Sequence, residues 1–148
     1  MIYIDTSSLL KLVITDPYSD HVEKAISEET RVVITTLGEL EARVQLRGLT
    51  LGGTIRKSRL ERLSQRLYRQ LTSAPFMRRK LSGGIFQCAL DQTDSSSVHC
   101  RSLDRLHLAA MEELGVGRLM THDARQAQAA QELGYEVVMP GVGDEPPQ

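Results

Sequence analysis

Two aspartates follow short apolar runs that could form β-strands. Asp5 comes directly after IYI, and Asp123 comes one residue after RLMT. In a parallel α/β sheet the reactive crevice lies beyond the carboxyl ends of the strands, so both carboxylates are expected at the same edge. Aspartate is also a strong N-cap residue, and each could simply cap the helix that follows it. Sequence position therefore leaves capping and catalysis open for both residues.

Glu41 is expected to face inwards from the third predicted helix. At about 100° per residue, it falls about 40° from Leu37 around the helix, four residues after Leu37 and three before Val44. Leu40 belongs to the same apolar face, which we expect to be buried. Glu39 points away from that face, which makes Glu41 the better candidate for an acid inside the protein.

Asp104 lies on a second predicted helix, over residues 102–114, within a wide apolar arc between Met111 and Leu108. The alternative is that Asp104 only adds favourable negative charge to the first helical turn. His107 belongs to the same arc and is expected to be a hydrogen-bonded core histidine. Because a buried, unpaired carboxylate is costly, an inward-facing acid needs a cation, a hydrogen-bond donor or a proton.

Four carboxylates that converge on one crevice would repel each other, and a divalent cation would remove that conflict. Oxygen ligands without Cys or His favour hard ions such as Mg²⁺ or Mn²⁺. Such ions retain water and commonly bind substrate phosphates. The four acids therefore predict phosphoryl chemistry rather than redox chemistry.

The elements that must position these acids alternate between short apolar strands and helices. The chain opens with a strand, two helices and a second strand, and it closes with strand, helix and strand after the helix that carries Asp104. Parallel strands need crossover connections, so this order predicts an α/β protein with three layers, α/β/α, around a short parallel sheet. The four predicted strands are IYI, RVVIT, RLMT and YEVVM, and the two middle helices are predicted over about 37–47 and 54–71. Residues 83–99 give conflicting signals and stay unassigned.

The composition is that of one ordinary globular domain. The 148 residues are 41% hydrophobic and 25% charged, which excludes the disorder signature of low hydrophobicity and high net charge. We expect one domain over residues 1–140 and a loose tail over 141–148. No membrane span or signal peptide is visible, and Cys88 and Cys100 are expected to be reduced, so we expect a cytoplasmic protein.

The middle of the chain is basic although the net charge is −1. Glu61 is the only acid in the basic helical segment 54–80, and four arginines form one stripe beside a leucine stripe on the predicted helix. Such a stripe could contact the phosphates of RNA, or it could be a solvated face or an oligomer contact. These residues are Arg59, Arg62, Arg66 and Arg69.

Four segments resemble the PIN-domain ribonucleases, and within them the VapC toxins of toxin–antitoxin pairs. The segments are YIDTSSLLKL with Asp5, TTLGELEARVQLR with Glu41, CRSLDRLHLAAM with Asp104, and LMTHDARQAQAAQELGYEVVMP with Asp123. They occur in the family's order and cover residues 1–48 and 100–140. The resemblance implies a PIN-like α/β/α fold.

The resemblance also implies an activity and roles for the acids. The protein would be an endoribonuclease dependent on Mg²⁺ or Mn²⁺, a toxin with a cognate antitoxin, and a homodimer. Asp5, Asp104 and Asp123 would hold the metal, while Glu41 would bind a second ion or orient the attacking water. The hydroxyl partners of the acids would be Thr6, Ser7 and Thr121.

Two other functions remain open from the sequence. A PIN-like module could bind RNA or protein and cleave poorly. Asp5 could instead be a phosphoacceptor, which is less attractive because Ser7 stands where a haloacid-dehalogenase-type site has a second acid. An activity assay with metal and an Asp5→Asn variant separates the nuclease from the binding module.

Overall fold

The structure, a computed structural model, describes residues 1–143 and alternates short strands with helices. The strands are β1 (Ile2–Ile4), β2 (Val32–Thr35), β3 (Phe76–Arg79), β4 (Arg118–Met120) and β5 (Glu136–Val138). The helices are α1 (Thr6–Val13), α2 (Ser19–Ser27), α3 (Thr36–Leu51), α4 (Lys57–Thr72), α5 (Ile85–Ser95), α6 (Ser102–Leu114) and α7 (Ala124–Glu132).

All five strands run parallel, in the order β3-β2-β1-β4-β5. The chain reverses direction across the sheet after β3, because β4 pairs with the other side of β1. Strand β1 is therefore central, and the segments after β1 and β4 lie side by side at the carboxyl edge. The predicted α/β fold with a short central parallel sheet is confirmed.

The two faces of the sheet carry separate hydrophobic cores, because successive strand side chains point to opposite faces. In β1, Ile2 and Ile4 belong to the core beneath α1, α2, α3 and α4, whereas Tyr3 belongs to the core beneath α5, α6 and α7. In β4, Met120 and Leu119 divide in the same way. This division produces the three layers.

Strand β3 and helix α5 were not predicted from the sequence. Two of the four residues of β3 are arginines and Pro75 precedes it, so the apolar signal is weak, yet it pairs along the edge of β2. Helix α5 lies inside the unassigned range 83–99 and buries Ile85, Ala89 and Gln92. The residues after Leu90 are polar, so the sequence shows no apolar periodicity long enough to indicate this helix.

The connection between α5 and α6 is tied to two helices. Glu132 at the end of α7 accepts hydrogen bonds from Ser96, Ser97 and the amide of Val98. The guanidinium of Arg105, on α6, donates to the carbonyl of Val98 at 3.2 Å. The backbone is thus anchored a few residues before α6 begins.

The remaining expectations concern thiols, membranes and the tail. Cys88 and Cys100 form no disulfide. Within residues 1–143, no helix combines the length and hydrophobicity needed to cross a bilayer. Of the predicted tail, residues 144–148 lie outside the described part of the chain.

Candidate active site

Asp5 joins the end of β1 to the start of α1. As the N-cap of α1, it accepts a hydrogen bond from the amide of Ser8 at 3.0 Å. The hydroxyl of Ser7 donates to the same carboxylate at 2.8 Å, and the hydroxyl of Thr121, just after β4, donates at 2.7 Å. Burial raises the pKa of Asp5, although the Ser8 amide and the Thr121 hydroxyl oppose the rise. Asp5 therefore caps a helix and also lies buried beside the neighbouring strand.

Asp123 uses its two carboxylate oxygens differently. Its Oδ1 accepts hydrogen bonds from the amides of Arg125 and Gln126 at 2.9 and 3.1 Å, which caps α7. Its Oδ2 accepts a hydrogen bond from Nη2 of Arg101 at 2.7 Å. The amide of Asp123 donates to the Thr121 hydroxyl at 3.0 Å, which links Asp123 to Asp5. Capping and a place in the site are again combined in one residue.

Asp104 shares its cation with Asp123. Its Oδ2 lies 3.0 Å from Nε of Arg101, so one guanidinium contacts a carboxylate on α6 and another at the N-cap of α7. Asp104 occupies the first turn of α6, where negative charge is favourable, but it is also 91% buried. The hydrogen bond and charge of Asp104 raise the pKa of Arg101, which stays protonated.

Glu41 ends a chain of hydrogen bonds that runs from the pocket into the core. Its Oε2 lies 2.5 Å from Nε2 of His107 and accepts a hydrogen bond from Thr6 at 2.8 Å. Nδ1 of His107 lies 2.7 Å from the hydroxyl of Tyr3, which lies 3.0 Å from the hydroxyl of Thr35. An ionised Glu41 only accepts hydrogen bonds, so Nε2–H of His107 donates to it, and Nδ1 of the same ring faces the Tyr3 hydroxyl.

The protonation of this chain follows from burial and pairing. Partial burial opposes ionisation of Glu41, but the hydrogen bond and charge of His107, with Thr6, hold the pKa of Glu41 below its usual value. Burial raises the pKa of the Tyr3 hydroxyl. Glu41 is therefore a carboxylate at neutral pH, and Tyr3 is a neutral donor.

Helix α3 places Glu41 in the site for a different reason from the one predicted. The prediction that Leu40 and Val44 are buried beside it is wrong, since they are 59% and 60% exposed. The buried residues of the helix are Leu37, Gly38, Ala42 and Leu46. The helix also continues past Gly48 to Leu51, beyond its predicted end.

Gly38 lets α3 approach the sheet closely. A Cβ at this position would lie 2.6 Å from Cδ1 of Ile34, on β2, and 3.6 Å from Cε1 of His107. The backbone of α3 can therefore come near the ring of His107, three residues before Glu41. Glu39 turns away and binds Arg43 and Arg78.

The four predicted acids line one pocket of about 240 Å³ at the carboxyl edge of the sheet. Thr6 and Ser7 also line it, while Thr121 lies behind Asp5. The structure thus brings together all seven side chains that the sequence analysis assigned to the acids and their hydroxyl partners.

The predicted RNA-contacting arginines lie elsewhere. Helix α4 packs against α1, α3 and β3, with Leu67 and Leu71 buried and Leu60 and Leu63 beside them. None of its four named arginines lines the acidic pocket. Arg66 lies 3.2 Å from Glu23, on α2, so one of the four has an acidic partner that the local sequence did not suggest.

Three pocket residues were missed as functional candidates. Arg101 precedes Asp104 by three residues, a helical spacing that could have suggested the ion pair. His107 was treated as a core histidine, and its burial confirms that, but its contact with Glu41 was not foreseen. Gln126 is 1% exposed, and among the described residues its Nε2 has no hydrogen-bond partner. No signal in the sequence separates Gln126 from the other glutamines of α7.

The donor set fits a hard divalent cation that keeps part of its water shell. Among residues 1–143, no three His, Cys, Asp or Glu side chains form a ready group that could hold a metal ion. Mg²⁺ rarely uses such a cage, since it retains several waters and binds through one or two carboxylates. Asp104 and Asp123 already share one cation, the guanidinium of Arg101, so two hard oxygen ligands face a single cationic position.

Comparisons with a family model and with individual proteins agree on one family. The model of the PIN domain matches residues 2–132. Ribonuclease VapC46 of Mycobacterium tuberculosis is 31% identical over 141 residues, which cover 94% of this chain and 97% of that protein. Ribonuclease VapC35 of the same species is 28% identical over 149 residues, with 95% and 98% coverage.

Solved structures share the fold at low sequence identity. The FitAcB structure from Neisseria gonorrhoeae superimposes with a TM-score of 0.73 at 15% identity and covers 95% of this chain and 98% of that one. The sarcin-ricin loop cleaving toxin VapC20 of M. tuberculosis gives a TM-score of 0.67 at 14% identity, with 87% and 95% coverage.

Proposed function

Because the chain belongs to the PIN domain family, we propose that it is a metal-dependent endoribonuclease and the toxin of a type II toxin–antitoxin pair. The observation that carries this proposal is the convergence of four carboxylates, from four separate segments, on one pocket. The similarity to two proteins named as VapC ribonucleases over nearly their whole length supports the hydrolysis of RNA phosphodiester bonds.

Asp5, Asp104 and Asp123 are assigned to hold Mg²⁺ or Mn²⁺, directly or through water. When bound, such an ion supplies a water nucleophile at neutral pH and offsets the charge that develops on the phosphate. The hydroxyls of Ser7 and Thr121 fix the direction of the Asp5 carboxylate through short hydrogen bonds. Asp123 is fixed by its own capping bonds to α7, which leave Oδ2 for the cation.

Glu41 is assigned to orient the attacking water. Its lowered pKa keeps it ionised at neutral pH, so it can accept a hydrogen bond from that water. His107 and Thr6 both contact Oε2 of Glu41, which leaves Oε1 for the water. Coordination of a second ion is the alternative role for this carboxylate.

The exposed stripe of α4 is assigned to the RNA backbone at a distance from the acidic pocket. Arg59, Arg62 and Arg69 are exposed, whereas Arg66 would have to exchange its bond with Glu23 for a phosphate. Phosphate contacts of this kind give affinity without sequence specificity. RNA binding should therefore weaken steeply as salt is added.

The resemblance to VapC toxins further implies a cognate antitoxin, a homodimer and action on RNA in the cytoplasm. The alternative is a PIN-like module that binds RNA or protein and cleaves weakly. One observation favours it, because Arg101 already neutralises the carboxylates of Asp104 and Asp123. A cleavage assay decides between the two functions.

The test is cleavage of a mixed pool of structured RNAs by the purified full chain, with Mg²⁺, with Mn²⁺ and with EDTA. We expect cleavage only with metal, and a loss of at least about a hundredfold in Asp5→Asn and in Asp104→Asn. Asp94→Asn is the matched control, because Asp94 is exposed on α5 and does not line the pocket. Folded wild-type protein that leaves the pool intact at saturating Mn²⁺ would establish the binding module instead.

A further inference from the structure

Arg101 has a geometry that the catalytic assignment does not explain. It lies at the N-cap position of α6, and its side chain reaches back so that Nε and Nη2 contact Oδ2 of Asp104 and Oδ2 of Asp123. The side chain of Arg101 is 67% exposed, while those of Asp104 and Asp123 are 13% and 24% exposed. An exposed cation thus covers two largely buried anions.

These ion pairs are easily exchanged. The exposed guanidinium weakens both pairs, because water screens its charge and the long side chain loses conformational freedom. The guanidinium of Arg101 makes no other hydrogen bond or ion pair with the residues that the structure describes. A divalent ion carries twice the charge of a guanidinium and prefers the same carboxylate oxygens. It can therefore take over the two carboxylates and leave Arg101 without a partner.

The released guanidinium would still be at the mouth of the pocket. Among the described residues that line the pocket, Arg101 is the one with a permanent positive charge. A phosphate that approaches four carboxylates is repelled, and the arginines of α4 do not line the pocket. The planar fork of Arg matches the geometry of a phosphate, to which it can donate two parallel hydrogen bonds.

We propose that Arg101 alternates between two anions: it pairs with Asp104 and Asp123 until a divalent ion displaces it, and it then binds a phosphate of the RNA backbone. This inference rests on the proposed metal-dependent cleavage of RNA. It adds an intramolecular competitor for the metal position and a substrate-binding residue, both in the same side chain.

The first test is isothermal titration calorimetry of Mn²⁺ into the full chain, as wild type, Arg101→Ala and Arg125→Ala. Removal of the competitor should lower the dissociation constant for Mn²⁺ by about two- to tenfold, since only weak ion pairs have to be broken. Arg125 is an exposed arginine near Asp123 that makes no ion pair within residues 1–143, so Arg125→Ala controls for the loss of one nearby charge. Equal or weaker Mn²⁺ binding by Arg101→Ala than by Arg125→Ala would overturn the inference.

The second test measures cleavage of the structured RNA pool at saturating Mn²⁺, over a range of RNA concentrations. Arg101→Ala should raise KM by at least about tenfold, because a charged hydrogen-bonding partner of the phosphate is lost, and Arg101→Lys should recover part of it. Tighter Mn²⁺ binding with an unchanged KM and kcat would overturn the phosphate contact. A purely structural role would loosen Mn²⁺ binding and slow cleavage together, which also overturns the inference.

The two proposals fail in different ways. If wild type binds Mn²⁺ but cleaves no RNA, the proposed nuclease fails, and the calorimetric comparison still tests the competition at the carboxylates. If Arg101→Ala binds Mn²⁺ and wild type does not, competition by Arg101 is supported in its strongest form. Absence of Mn²⁺ binding in both proteins would overturn the inference and the metal-dependent mechanism together.

Discussion

The pocket has two halves that hold their carboxylates by opposite means. In the inner half, Asp5 and Glu41 are held by hydroxyls, a backbone amide and His107, all of them part of the packed protein. In the outer half, Asp104 and Asp123 share the exposed Arg101. Partners in the core fix a carboxylate at a permanent cost of burial, whereas a surface arginine can leave. The difference suggests a rigid inner half and an exchangeable outer half.

Among these variants, removal of His107 from the inner half should lower the free energy of unfolding the most. His107→Ala leaves Glu41 and the hydroxyl of Tyr3 without their buried partner and creates a cavity. We expect the free energy of unfolding to fall by about 2–4 kcal/mol, measured by urea denaturation in EDTA. Tyr3→Phe removes one hydroxyl from the same chain and should cost only about 1 kcal/mol. A loss below that of Tyr3→Phe would contradict the view that His107 holds the inner half together.

The next largest effect is expected at the two capping aspartates, where the loss of stability should differ between the inner and the outer half. Asp5→Ala loses the cap of α1 and leaves two hydroxyls without their acceptor, so it should be about 2 kcal/mol less stable than Asp5→Asn. Asp123→Ala loses mainly a cap and should be about 1 kcal/mol less stable than Asp123→Asn. Both members of each pair remove the charge, and Asn keeps an acceptor oxygen that Ala lacks. Equal differences at both positions, measured by urea denaturation, would show that the hydroxyls of the inner half contribute nothing.

Acid should abolish the contribution of Glu41. Its pKa is lowered in the folded protein, so its stabilising effect is complete above its usual pKa of about 4.5 and is lost as the pH falls through the lowered value. At pH 7 and in EDTA, Glu41→Gln should therefore unfold about 1 kcal/mol more easily than wild type. The gap between the two urea denaturation curves should close below about pH 4.5. A gap that is as large at pH 3 as at pH 7 would mean that packing, not ionisation, sets the difference.

The outer half should show the smallest effect on stability. Asp104→Asn removes one partner of an exposed arginine, and any shift in the urea midpoint should shrink in 1 M salt, which screens the exposed guanidinium. His107→Ala supplies the contrast, since its buried contacts should keep their effect at that salt concentration. A shift in Asp104→Asn that resists salt would place Asp104 in the rigid half.

The strand-end acids were predictable because they depend on local sequence. An apolar strand followed by a good cap residue placed Asp5 and Asp123 at one edge of the sheet, and the paired β1 and β4 bring them together. Glu41 lines the pocket, although the helix face used to predict it was wrong at Leu40 and Val44. Helix α3 has apolar residues on two sides, and only its packing against α1 and α4 decides that Leu40 and Val44 remain exposed.

The features that the sequence did not predict depend on contacts between distant residues. Strand β3 is extended because it pairs with β2. Its own residues, FMRR, do not indicate a strand. His107 and Glu41 are 66 positions apart, and Tyr3 is 104 positions from His107. Arg101 reaches Asp123 across 22 positions. A search for clustered acids also overlooks the one cation that two of them share.

The anchored connection before α6 sets the time scale on which the outer half can change. Glu132 and Arg105 hold the backbone at Val98, so Arg101 can leave its partners through rotation about its own side-chain bonds while the loop stays in place. Exposed side chains change rotamer within picoseconds to nanoseconds, whereas loops move more slowly. Mg²⁺ gives up its hydration water reluctantly. If the outer half binds Mg²⁺ as proposed, we therefore expect dehydration of the ion, and not the opening of the protein, to set the rate of uptake.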